Sequence, residues 1–258
     1  MSAPDVRQDL REDLRSLGVG PGGRLLVHAS LRGTGLRAEE VRDALTGALG
    51  EDGTLVVPAF TPGNSASSSV HLARTAGMTA AEAAAFRAAM PAFDPLTTPS
   101  EGMGRLAESV RTAPGAHRSA HPQTSFAALG RDAGMLCAGH RTECHLGEES
   151  PLGTLFWTGA QVLMINVGFS VCTAFHLAEY RIPKPPLREY RCVVGLLGKS
   201  RWIGYEDVAL DDGDFAEIGN SLPESAVRRG LLGGAAAMIF SITDAVDHAL
   251  AWMTENRR

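Results

Sequence analysis

Apolar residues fall into short, differently spaced groups along the first sixty positions. Within residues 4–17, Val6, Leu10 and Leu14 stand four apart among charges, which predicts a helix, with Ser2 ahead of it as a cap. VGPGG at 19–23 is a turn. RLLVHAS at 24–30 is an apolar run too short for a typical helix and predicts a buried strand. Between Glu39 and Leu49, Val41, Leu45, Ala48 and Leu49 share one helical face, and Gly50 with Asp52-Gly53 ends that helix. TLVVPAFT at 54–61 predicts the next strand. Strand, helix and strand joined by short turns form a βαβ unit, which implies parallel pairing with a right-handed crossover.

Residues 64–100 break this rhythm. GNSASSS has loop composition, MTAAEAAAFRAAMPAF predicts an Ala-rich helix stopped by Pro91, and DPLTTPS at 94–100 holds two prolines too close for regular structure. The segment reads as an insertion or lid over a core. Beyond it, 102–112 predicts a helix, 114–130 a Pro-bearing loop leading into a strand around Ser125–Leu129, and QVLMINVG at 161–168 a strand. Residues 172–181 predict a helix, and the two segments around Leu197–Lys199 a β-hairpin. Ser225–Leu232 predicts a helix or its beginning, AAAMIFSI a strand, and TDAVDHALAWMTEN a final helix capped by Thr243. There is no repeat and no interdomain linker. The expected fold class is α/β: a single domain over 1–258, with a mixed sheet flanked by helices.

Composition narrows the function classes. The 258 residues are 44% apolar, and 24 basic against 29 acidic side chains leave a net charge of −5. That is too apolar and too weakly charged for a disordered chain. No apolar run approaches the roughly 18 residues of a membrane span, and the first 20 residues lack the apolar core of a secretory signal. A cytoplasmic protein is therefore expected, with no membrane partner. The mild acidity argues against a nucleic-acid partner. Disulfides among Cys137, Cys144, Cys172 and Cys192 are not expected in that compartment.

Five groups of residues carry candidate chemistry. His176 and Glu179, three apart on a predicted helix just after a strand, share a face where α/β sheets place ligands. From pattern alone, His176 is either a general base or a histidine satisfied at a helix start. His121 precedes Pro122, which keeps it extended in a loop, to serve function or to cap a carbonyl. Cys137, His140, Cys144 and His145 crowd into nine residues. They lack the second, separated ligand pair of a zinc site, so no metal is expected. Glu206, Asp207, Asp211, Asp212 and Asp214 are either a solvated turn or the source of a carboxylate that orients a catalytic histidine, and no spacing rule selects among them. Cys172, four before His176, is either a nucleophile or a small packing residue.

LLVHASLRGTG at 25–35, GTLVVPAFT at 53–61, RSAHPQTSFAALG at 118–130, GEESPLGTLF at 147–156 and VCTAFHLAEY at 171–180 follow one another in this order. Together they resemble the aminoglycoside 3-N-acetyltransferase family across nearly the whole chain. The resemblance implies that family's own α/β fold, distinct from the GNAT acetyltransferases, and assembly as a homodimer. It implies transfer of an acetyl group from acetyl-coenzyme A to an amine of a polycationic small molecule. It further implies His176 as general base, Glu179 beside it, Asp207 as the carboxylate paired with His176, and Thr173 as hydrogen-bond donor to the thioester carbonyl. Coenzyme A contacts are implied for Ser30, Leu31 and Arg32, and for Met103, Gly104, His121, Ser125 and Phe126. The acid-poor stretch at 64–93, with Glu82 its one acidic side chain, also admits a different amine as acceptor, such as an intermediate of antibiotic biosynthesis. A non-catalytic binding module on the same scaffold is the reading from another class.

Overall fold

The structure is a computed structural model that describes residues 6–196 and 198–257. In chain order it contains α1 (Val6–Leu17), β1 (Arg24–Ala29), α2 (Ala38–Leu49), β2 (Thr54–Pro58), α3 (Ser69–Thr75), α4 (Ala80–Ala89), α5 (Gly104–Arg111), β3 (His117–Arg118), β4 (Phe126–Gly130), α6 (Ala133–Cys137) and α7 (Pro151–Trp157). There follow β5 (Gln161–Ile165), α8 (His176–Glu179), β6 (Leu187–Leu196), β7 (Lys199–Val208), α9 (Phe215–Asn220), β8 (Val227–Leu232), β9 (Ala235–Ser241) and α10 (Ile242–Asn256). Ser2, read as a cap, lies outside the described residues.

Seven strands form one mixed sheet in the order β3-β4-β2-β1-β5-β9-β8. The three central strands, β2, β1 and β5, are parallel, and β4 and β9 flank them antiparallel. Alternation along the central strands divides the core. Leu26, Val56, Val162 and Met164 face one side with residues of α7, α8 and α10; Leu25, Val27, Leu55, Val57, Leu163 and Ile165 face the other with α1, α2 and α5. Each such side chain contributes about 2 kcal/mol by leaving water. Both faces of the sheet are covered, which explains why its strands read as continuous apolar runs.

Three expectations need correction. Ser225–Leu232 is not a helix: after a single 3-10 turn, Val227–Leu232 forms β8, paired antiparallel with β9. The cause is the Gly233-Gly234 pair, both at positive φ (54° and 82°), which closes a two-residue hairpin that other residues disfavour. The cap of α10 is Ser241, whose side chain accepts from the backbone N–H of Asp244, and not Thr243. Residues 172–181 are not one helix: a 3-10 turn over Thr173–Phe175 runs into the single α turn of α8.

The Ala-rich segment packs on the β6–β7 hairpin. The Asn64 amide bonds both backbone groups of Val193, and Trp202 Nε1 donates to the Arg87 carbonyl oxygen. The capping box of Thr79 and Glu82 starts α4. Leu197, read as part of the hairpin turn, lies outside the described residues. Among the described residues, no helix is long and apolar enough to cross a membrane.

Candidate active site

A cleft of about 940 Å³ opens where β1, β2 and β5 end, the position at which α/β sheets receive ligands. The loop after β1 supplies Ser30, Leu31 and Arg32. Met103, Gly104 and Arg105 at the start of α5 form another wall, and Thr173 and His176 come from the turns after β5. Asp212 and Phe215 close the remaining side. These residues are far apart in sequence and meet because parallel strands align the loops that follow them.

Local backbone chemistry shapes the rim. Asn166, just after β5, takes a left-handed conformation (φ 52°), which Asn tolerates better than most residues. Its amide donates to the Ser30 carbonyl at 2.9 Å and ties the loop down. Gly104 opens α5 at φ +85°, and a Cβ there would lie 3.2 Å from the Ala29 carbonyl oxygen. Only glycine lets the helix start this close to β1 without strain.

His176 lines the cleft. Its Nδ1–H donates to Oε2 of Glu179 at 2.7 Å. With Nδ1 committed, Nε2 is the ring nitrogen left to exchange a proton. The Phe215 ring packs edge-on against the imidazole with centroids 4.6 Å apart. Glu179 is 1% exposed, and its second oxygen accepts from the Asp211 N–H at 2.9 Å and from Arg257 Nη1 at 2.6 Å. Below them, His28 sits near the end of β1 with its Nε2 enclosed and unbonded. Burial first, and the charge of His176 second, push its pKa down to about 4, so His28 is neutral at physiological pH.

The expected partner of His176 is wrong. Asp207 is buried on β7 and accepts from Nδ1 of His145 at 2.7 Å, the His145 N–H at 2.8 Å and the Tyr180 hydroxyl at 2.7 Å. Burial alone would raise its carboxyl; the hydrogen bonds from His145 and Tyr180 outweigh this and hold it below the usual range. The carboxylate paired with His176 is Glu179, three residues along its own turn. Among the other acids, Asp212 lines the cleft, Asp214 binds Arg257, and Glu206 is exposed.

His121, Ser125 and Phe126 also fall away from the cleft. His121 is completely buried. Its Nδ1 accepts from the N–H groups of Gln123 and Thr124, and its Nε2–H donates to the Thr142 carbonyl. Burial holds it well below the ordinary histidine range. The Ser125 hydroxyl donates to the Ala59 carbonyl at 2.8 Å, and Phe126 packs edge-on against Phe60 in the core. The loop ahead of β4 is buried with the first residue of that strand, Phe126, which pairs with Pro58 in the antiparallel register of β4 on β2.

The four soft ligands do not gather either. The Cys137 thiol is directed at the His117 and Phe126 carbonyls, while His140 bonds the Ser119 hydroxyl at 2.9 Å. Among the described residues, no group of three or more His, Cys, Asp or Glu is arranged to hold a metal. Cys172 is fully buried, off the cleft, and its thiol is pushed up to about 12 by burial. Sequence reasoning missed His28, Asn166, Arg105 and Arg257. A histidine inside an apolar strand was a signal for the first; nothing in the local sequence marks the others.

The comparisons agree with this architecture. The family model described as aminoglycoside 3-N-acetyltransferase matches residues 26–254. The chain is 32% identical to aminoglycoside N(3)-acetyltransferase VII of Streptomyces paromomycinus, over 98% of this chain and 92% of that one. The crystal structure of YokD protein from Bacillus subtilis superposes with a TM-score of 0.91 at 33% identity, covering 99% of this chain and 96% of that one. AAC-IIIb, solved as a binary complex with coenzyme A, superposes at 0.83 with 27% identity and 96% of each chain covered. The chain belongs to the aminoglycoside 3-N-acetyltransferase family and is an acyltransferase.

Proposed function

We propose that the protein transfers the acetyl group of acetyl-coenzyme A directly to an amine of an aminoglycoside-type antibiotic, with His176 as general base. The observation that carries this reading is the bond from His176 Nδ1 to the buried Glu179, which leaves Nε2 as the basic nitrogen of a residue lining the cleft. The neutral amine attacks the thioester carbonyl carbon while Nε2 of His176 takes its proton. The carbon–sulfur bond then breaks, and the departing thiolate takes up a proton to leave as free thiol. Glu179 stabilises the imidazolium that forms. The Thr173 hydroxyl, on the same lining, is suited to hydrogen-bond the carbonyl oxygen as negative charge develops on it. Arg32 and Arg105 are exposed guanidiniums on the cleft lining, suited to the phosphates of coenzyme A, and Ser30, Leu31, Met103 and Gly104 offer contacts to its pantetheine.

One observation favours a second reading of the acceptor. Among the described residues, the lining holds a single carboxylate, Asp212, beside Arg32 and Arg105, and residues 64–100 contribute nothing to it. A polycation gains little electrostatic steering from such a cleft. An amine with one positive charge, as in a biosynthetic intermediate, suits it as well. A thiol-release assay over aminoglycosides and simpler amines tests both readings. Turnover confined to aminoglycosides supports the first and turnover confined to simpler amines the second. A panel without thiol release above background overturns both and leaves a binding module.

A further inference from the structure

We propose that Arg257 is a positioning residue of this site: its guanidinium clamps Glu179 and the Asp211–Asp214 loop together, so that Glu179 presents His176 to the cleft in one fixed orientation. The inference rests on the reading of His176 as general base.

The geometry is a bridge with three feet. Arg257 follows α10, and its N–H closes the helix by donating to the Met253 carbonyl at 2.9 Å. From there Nη1 reaches Oε1 of Glu179 at 2.6 Å. Nε and Nη2 grip the two oxygens of Asp214 at 2.7 and 2.5 Å, a bidentate pair that fixes the plane of the guanidinium. Nη2 also donates to the Asp211 carbonyl at 2.6 Å. The Asp211 N–H in turn donates to the same Oε1 of Glu179. Both oxygens of Glu179 are therefore used, one by His176 and the other by Arg257 and Asp211. The loop held this way carries Asp212, the one carboxylate on the cleft lining among the described residues.

Charge explains why an arginine suits this place. Glu179 is 1% exposed, and a buried carboxylate needs compensation to remain ionised. Arg257 shares the charge of that carboxylate with His176, so removing the guanidinium would leave the full negative charge facing the imidazole. Burial acts to lower the pKa of Arg257, but its bonds to Asp214 and Glu179 outweigh this and raise it, so the cation is permanent. The other titratable groups around the pair are Asp211, Asp212 and Asp214 of the loop, His28 on β1, and His145 and Tyr190, which interact electrostatically with His176 and Glu179. None of these is a cation at neutral pH, so none replaces the guanidinium.

The test is an NMR titration of the imidazole rings in the 15N-histidine-labelled full chain, with His176 assigned by its loss in His176→Asn. Arg257→Met should move the His176 midpoint upward by about one pH unit, the direction expected when a nearby like charge is removed. Arg257→Lys, which keeps the charge but loses the fork, should return most of that shift. If the His176 midpoint in Arg257→Met coincides with that of the wild type, the proposal is overturned. Should Arg257→Met not fold, the titration of Arg257→Lys and of Asp214→Asn decides: midpoints equal to wild type in both also overturn it. Thiol release by His176→Ala, measured separately with sisomicin and acetyl-coenzyme A, keeps the two readings apart. Wild-type turnover there removes the base reading, whereas an unmoved midpoint in the Arg257 variants removes only this inference.

Discussion

Glu179 meets His176 within a single helical turn: Oε2 lies 2.7 Å from Nδ1, and the carboxylate is buried while the imidazole lines the cleft. The pair sets which ring nitrogen is free. His176→Ala should reduce thiol release at least about 10²-fold, the lower end of general-base contributions. Glu179→Gln should also reduce turnover, because an amide can hold the ring in the wrong tautomer and does not stabilise its charge. Steady-state kinetics with acetyl-coenzyme A decide; wild-type turnover in His176→Ala removes the mechanism.

Asp207 predicts a different phenotype. It joins His145, in the segment between α6 and α7, to Tyr180 beside α8, and is not hydrogen-bonded to His176. Asp207→Asn should cost about 3 kcal/mol of stability, as expected when a buried, charged hydrogen-bond acceptor is removed. Turnover per folded molecule should stay within a few-fold of wild type. Denaturant unfolding paired with kinetics separates the two effects, and a large loss of turnover at unchanged stability would refute the assignment.

Acid should destabilise the fold well before the carboxylates titrate. His28 and His140 are both lowered to about 4, burial being the largest cause, from an ordinary value of 6.5. His121 is lowered as well. Between pH 6.5 and 4 the unfolded chain binds protons that the folded chain refuses. Their contribution to stability is complete above pH 6.5 and falls as pH drops toward 4, by about 3 kcal/mol for each of the two imidazoles. Thermal unfolding followed from pH 7.5 to 4.5 should show a steadily falling midpoint. A flat profile over this range would contradict the burial of neutral histidines.

Cys172 should be inert. It is fully buried, its thiol is pushed up to about 12, and the thiolate is the reactive form. Intact mass after incubation with acetyl-coenzyme A alone should show no acetylated protein, and Cys172→Ala should keep its turnover within a few-fold. An acetyl adduct lost in that variant would establish a two-step mechanism through this thiol.

The sequence by itself determined the βαβ start, the parallel pairing of its two strands and the pairing of His176 with a face that includes Glu179. Each rests on local information: apolar spacing, turn residues, and two positions three apart on one helical turn. The order of five motifs also determined the family. The Gly233-Gly234 hairpin was written in the chain as well, in two adjacent glycines before an apolar run, though the segment ahead of it reads as helix. Only the tertiary structure decided that none of the five acidic residues between 206 and 214 pairs with His176, because that depends on what the β6–β7 hairpin and α10 bring beside α8. It took Asp207 to His145, left Asp212 on the cleft, and gave Asp214 to Arg257. It likewise buried His121, Ser125 and Phe126 away from the cleft, through contacts with Thr142, Ala59 and Phe60 that no local pattern carries. Arg257 reaches Glu179 across 78 positions of sequence, a distance at which no local pattern carries information and only packing does.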